Sequence, residues 1–106
     1  MSDSKALLRS SKKALFPLGS VCMTPGVAEL VEQHQLSIHE YLARHVSGDW
    51  GDVCVDDAAE NTVSLLEGYR ILSAYTFTSA PAVHSKIWII TEANRSVTTL
   101  LLPSEY

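Results

Sequence analysis

Apolar and polar positions alternate in two different rhythms along this chain, and the change between them falls near Tyr69. From there to Tyr106, three runs read as consecutive strands: residues 71–78, 86–92 and 97–102. The middle run, Lys86-Ile87-Trp88-Ile89-Ile90-Thr91-Glu92, is dense in β-branched and aromatic residues, which fit a pleated, half-buried surface. Ala93-Asn94-Arg95-Ser96 has the length and polarity of a hairpin loop, and residues 79–85 those of a longer, irregular one. Ile87, Ile89 and Thr91 alternate with Trp88, Ile90 and Glu92, so both faces of this strand are partly apolar. That pattern predicts a central strand with helices on one face and a partner, most simply a second copy of the chain, on the other.

Upstream the spacing becomes helical. Ser20-Val21-Cys22-Met23 reads as a short edge strand, because proline lies close on both sides. Thr24-Pro25 then reads as a helix start, with a capping hydroxyl and a proline at the first helical position. The helix predicted over residues 25–34 buries Val27, Leu30, Val31 and His34. A second helix opens at Ser37 with Glu40 three residues on, a capping-box spacing, and turns Ile38, Tyr41, Leu42 and His45 inward. Residues 46–52 hold two glycines around Asp49-Trp50 and form a loop. A third helix runs from about Asp56 to Glu67, with Ala59, Val63 and Leu66 as its inner face and Gly68 as a left-handed cap. The layer logic of these elements gives an α+β fold: a three- to four-stranded, mainly antiparallel sheet with about three helices on one face. No linker divides it, so residues 14–106 form one domain behind a flexible basic segment, residues 1–13.

Charge sharpens the picture. Lys5, Arg9, Lys12 and Lys13 face one acid, Asp3, within residues 1–16, a local +3; the whole chain of 106 residues is −4, so residues 17–106 carry −7. Asp49, Asp52, Asp56, Asp57, Glu60 and Glu67 lie in a stretch without Lys or Arg. Such a body repels nucleic acid, which leaves only the basic N-terminus to bind it. Cys22 and Cys54 match no metal or redox spacing. With no long apolar run at residues 1–9, they are expected to be free thiols in a cytoplasmic protein without a membrane span.

Three groups carry candidate chemistry. Asp49 follows His45 by four residues at a helix end, a spacing at which a carboxylate can orient a general base, with Asp52 assisting. In the competing reading, a charged His45 faces the helix C-terminus and Asp49 ties the following turn through backbone amides. Trp50, between flexible neighbours, offers a stacking surface or else plugs the end of the core. Arg95 and Ser96, with Thr91, Thr98, Arg70 and Glu92 around them, could hold a phosphate or carboxylate; the competing reading pairs Arg95 with Glu92 across the turn. The acidic stretch lacks the alternating ligands of a calcium loop, and His34, His39, His45 and His84 lack metal-helix spacing, so no metal is expected. No cofactor motif is present.

His45-Val46-Ser47-Gly48-Asp49-Trp50-Gly51-Asp52, Trp88–Ser96 and Leu101-Leu102-Pro103-Ser104-Glu105-Tyr106 together resemble a family of small plasmid- and integrative-element-encoded bacterial proteins. Leu15-Phe16-Pro17-Leu18-Gly19, Thr24-Pro25-Gly26 and Leu72-Ser73-Ala74-Tyr75 share the likeness, which spans residues 15–106. It implies an accessory protein carried on mobile DNA. Some members carry a label as a restriction-modification methylation subunit. This chain has neither a glycine-rich cofactor loop after a strand nor an Asn/Asp-Pro-Pro-aromatic motif, so that label does not transfer. Two departures stand out: residues 79–85 are longer than the family's glycine turn, and Asn94 stands where an aspartate is expected. Asn94 can replace an aspartate that caps a turn but not one that acts as a base.

The resulting expectation is a non-catalytic module that binds a host or element protein, including an acidic, DNA-mimicking version. The alternative is a small nuclease or nucleotide-processing enzyme using His45, Asp49 and Arg95. Candidate binding residues are Asp49, Trp50, Asp52, Glu92, Arg95 and Ser96.

Overall fold

The computed structural model describes residues 13–79 and 83–106. The basic segment expected at residues 1–13 lies outside the described residues apart from Lys13, as does the loop tip at residues 80–82. Along the chain come β1 (Ser20–Met23), α1 (Pro25–Glu32), α2 (Ile38–Val46), α3 (Val55–Glu67), β2 (Ile71–Ser79), β3 (Val83–Thr91), β4 (Val97–Leu101) and a 3-10 turn (Pro103–Glu105). The fold is α+β, and the sheet order is β1-β4-β3-β2. β2–β3 and β3–β4 are antiparallel, while β1 joins β4 in parallel at the exposed edge expected for it. The hairpin between β2 and β3 is tighter than residues 79–85 predict, because both strands extend into that segment.

Register decides what each face carries. Thr91 sits opposite Ile71 and Thr98, and Ile89 sits opposite Ser73 and Leu100. One face therefore carries Ile71, Ser73, Tyr75, Phe77, Ile87, Ile89, Thr91, Thr98 and Leu100. Two apolar clusters under the helices use this face. Val27, Leu36 and the inner sides of α1 and α2 close over Tyr75, Phe77, Ile87, Ile89 and Leu100. Phe16 and Trp50 close over Ile71, with Ala58 and Leu65 of α3 packed against them.

Two details differ from the sequence reading of α1. It stops at Glu32, and His34 lies beyond it, exposed and in a left-handed conformation (φ 59°) rather than buried. Thr24 occupies the N-cap position, but its hydroxyl donates to Glu105, whose carboxylate also accepts from the Gly26 and Leu102 amides (2.8 and 2.9 Å). The helix is thus capped by a carboxylate 79 residues downstream. These hydrogen bonds, Thr24's first, hold the Glu105 carboxyl below its usual range. Ser37 likewise precedes α2 without a side-chain capping bond.

The loop after α2 runs along the outer edge of β2. Ala74 N–H donates to the Trp50 carbonyl (3.1 Å) and Asp52 N–H to the Ala74 carbonyl (2.6 Å). Gly51 lies between them with φ +76°, where a Cβ would fall 2.0 Å from the Ala74 oxygen. Gly68 is also left-handed, ending α3, but its Cβ would meet open space. Gly68→Ala should therefore lose about 1 kcal/mol, the left-handed penalty alone. Gly51→Ala should lose several-fold more, and urea unfolding of the two variants measures the contrast. Equal losses would mean that the loop does not press against β2 as described.

Candidate functional site

At the centre of the structure is a fully buried imidazole. His45 ends the inner stripe of α2, as its spacing predicts, and bonds two of three hydroxyls gathered on the apolar side of the sheet, Ser73 and Thr91, with Thr98 joined to Thr91. Their proton directions follow from one fixed acceptor. The Thr98 hydroxyl donates to the Leu18 carbonyl (2.7 Å), so its oxygen accepts from Thr91 (2.8 Å). The Thr91 oxygen in turn accepts from His45 Nε2–H (2.9 Å). That leaves Nδ1 without a proton, accepting from the Ser73 hydroxyl (2.6 Å). The ring is neutral, and burial pushes its pKa down to about 4, with the Arg95 charge acting in the same direction. Phe16 and Trp50 approach it edge-on, with centroids at 5.2 and 6.1 Å. Trp50 is itself buried, so it plugs the core and offers no open stacking surface.

Asp49 does not orient His45. Its carboxylate takes a bidentate contact from Arg44 (2.7 and 3.4 Å) and a hydrogen bond from Gly51 N–H (3.2 Å). Its carbonyl accepts from the Tyr75 phenol (2.6 Å), which burial pushes up to about 12 and so keeps as a donor. Arg44 also lies over the Tyr75 ring at 4.6 Å. Asp52 accepts from Thr76 (2.7 Å). The loop candidates thus share one task, fastening residues 49–52 to α2 and β2.

Arg95 is engaged just as completely. One guanidinium nitrogen donates to the Tyr69, Glu92 and Ala93 carbonyls (2.6, 3.1 and 3.2 Å), and the other donates to Ser64 (2.9 Å) at the end of α3. It bonds the backbone of Glu92 and not its carboxylate, so the expected side-chain pair is not formed. A cation placed on these last carbonyls also suits the helix C-terminus. The Phe16 ring lies 5.6 Å away, which puts Arg95 and His45 on the same ring without opening a path between them. Ser96 donates through N–H and hydroxyl to Asn94 Oδ1 (3.0 and 2.6 Å), so Asn94 caps the turn. Ser73 is a residue the sequence reading missed. Its position shares the inward parity of Tyr75 and Phe77, and a hydroxyl there needs a partner from a covering helix.

The surface holds the remaining candidates. α3 contradicts its predicted orientation: Val55 and Leu66 are 84% and 83% exposed, and Ala59 and Val63 are exposed beside them. Its inner side carries Asn61 and Ser64 together with Ala58 and Leu65. Asn61 explains the choice. Its amide donates to the Leu72 carbonyl (2.7 Å) and accepts from the Leu72 N–H (3.1 Å), pairing with the strand edge as another strand would.

The second face of the sheet carries Leu72, Ala74, Trp88, Ile90, Thr99 and Leu101. Tyr106 lies against Trp88 (5.5 Å) and accepts from Arg70 (3.2 Å). Ile90 and Leu101 are only 5% exposed in a single copy, so this face creates little demand for a partner. Between β1 and α1 an open groove of about 600 Å³ is lined by Met23, Pro25, Ala28, Glu29, Val31 and Glu32. Among the described residues, no three His, Cys, Asp or Glu side chains gather as metal ligands would, and no helix is long and apolar enough to cross a membrane. Cys22 and Cys54 are free and exposed. Comparison with protein-family models, curated proteins and solved structures finds no match.

The His45 relay has a pH signature. An unfolded histidine titrates near 6.5, whereas the folded ring stays neutral down to about 4. Between these values only the unfolded chain takes up the proton, so the contribution is complete above pH 6.5 and declines as pH falls towards 4. The loss is on the order of 3 kcal/mol. Urea unfolding of wild type and His45→Gln across this window isolates it, because the carboxylates are common to both. The expected result is a steeper acid loss in wild type; parallel curves would mean that the ring is not buried neutral.

Proposed function

We propose that this chain is a small non-catalytic protein-binding module whose docking element is the outer side of α3. The observation that carries the reading is the inversion of this helix. Val55, Ala59, Val63 and Leu66 recur at helical spacing and face solvent, while an amide and a hydroxyl face the protein. An apolar stripe left outside gains its burial from another molecule. The resemblance of residues 15–106 to mobile-element accessory proteins fits a role exercised on a host or element protein.

An enzyme built on His45, Asp49 and Arg95 receives less support. His45 is enclosed with both nitrogens engaged, Arg95 is held by carbonyls, and Asp49 is committed to Arg44 and Gly51. A proton-transfer role requires an atom within reach of substrate, and none of the three side chains leaves its hydrogen-bonding set in a cleft.

The test compares tagged wild type with a Val55→Ser/Leu66→Ser double variant in affinity capture from a nuclease-treated bacterial lysate. Both residues touch mainly water, so unfolding midpoints should agree within about 0.5 kcal/mol per substitution. Wild type should retain a stoichiometric protein that the double variant loses. Undiminished retention by a correctly folded double variant would sink α3 as the docking element.

A further inference from the structure

We infer that the partner presents to α3 an amphipathic helix with an apolar seam and a row of Lys or Arg along one border. This deepens the binding role proposed for α3 and rests on it. At about 100° per residue, Val55, Leu66, Ala59 and Val63 fall within an arc of about 80° on the helix. Asp56, Glu67 and Glu60 occupy the adjoining arc, immediately beyond Val63. On the opposite border stand Thr62 and Ala58, without charge. The acidic border is therefore one-sided, and the stripe has a direction as well as a polarity.

Length and charge narrow the occupant further. From Val55 to Leu66 the stripe spans about 16 Å, or three turns. A second helix matches that length by packing its ridges into the stripe, whereas a strand would present side chains at the wrong period. Asp56 and Glu60 stand four apart, where like charges repel along a helix. Among the described residues, neither they nor Glu67 have an ion-pair partner, and residues 45–69 contain no Lys or Arg. A cationic border on the incoming helix relieves that repulsion, and burial of the apolar seam strengthens each charge contact by excluding water. An acidic partner would add to the repulsion.

The experiment uses the full chain and three labelled synthetic helical peptides of about four turns, followed by fluorescence anisotropy. The first has a leucine seam with Lys and Arg on one border. The second has the same seam with Glu on that border, and the third has the basic border with Ser in the seam. The first should bind, about tenfold more tightly than either of the others, and weaken several-fold as salt rises from about 50 to 300 mM. Leu66→Ser should abolish this binding, and Asp56→Asn/Glu60→Gln/Glu67→Gln should remove its salt dependence.

Equal binding of the first two peptides would overturn the charge assignment while leaving α3 a docking helix. Equal binding of the first and third would reduce the contact to charge attraction and overturn the seam. A peptide of residues 1–13 that displaces the first would make the chain's own basic segment the occupant, overturning an outside partner. If no peptide binds while lysate capture still depends on Val55 and Leu66, this inference falls and the binding role stands. If capture is independent of them as well, both fall together.

Discussion

Hydroxyls on the apolar side of a sheet are costly to bury unless each finds a partner, and three strands here bring one each to the same place. Ser73, Thr91 and Thr98 are joined by the imidazole of His45 into a chain of donors that ends on the Leu18 carbonyl. The chain works in one protonation state, because the ring must donate at one nitrogen and accept at the other. It ties α2 to β2, β3 and the segment leading into β1. Phe16 and Trp50 pack edge-on against that imidazole, and Arg95 lies over the Phe16 ring. Removing the His45 ring would take the acceptor from Ser73 and the donor from Thr91 and leave a cavity, so its importance exceeds that of its own packing contacts.

The same arrangement separates the interior from the exterior. Residues that look chemically capable in the sequence are taken up by structural hydrogen bonds, His45 in the interior and Asp49 and Arg95 nearer the surface. His45 serves the relay, Asp49 the loop, and Arg95 the carbonyls where α3 ends. The outside retains what the interior did not need: a one-sided acidic border and an apolar stripe on a helix whose polar side already has its partners. Capable chemistry is thus spent on holding the fold, and the apolar stripe of α3 is left outside it.

Much of the fold is legible in the sequence because its signals are local. Dense β-branched runs mark the strands, two glycines mark the loop, and Thr24-Pro25 marks the start of α1. The inner stripes of α1 and α2 also follow their spacing, since both helices bury the apolar side that periodicity selects. What is not legible depends on distant partners. Glu105 caps a helix from the other end of the chain, and His34 escapes burial because α1 stops before reaching it. The orientation of α3 is hidden for the same reason. Apolar spacing points its stripe inward, but Asn61 matches a strand edge eleven residues away, and the two demands cannot both be met. The hydroxyl relay lies between these cases, since its parity could be read from the strands but not the helix that answers it.

The azimuth of α3 is therefore set by a pair of directional bonds to Leu72 and not by the side on which its apolar residues gather. Rotating the helix to hide its stripe would strip the amide from the strand edge and expose that edge to other chains. Residues at positions 55, 59, 63 and 66 are consequently released from any duty to the fold. They can change in size, charge or shape with little effect on stability, so the docking surface proposed for this helix can vary independently of the core that holds it.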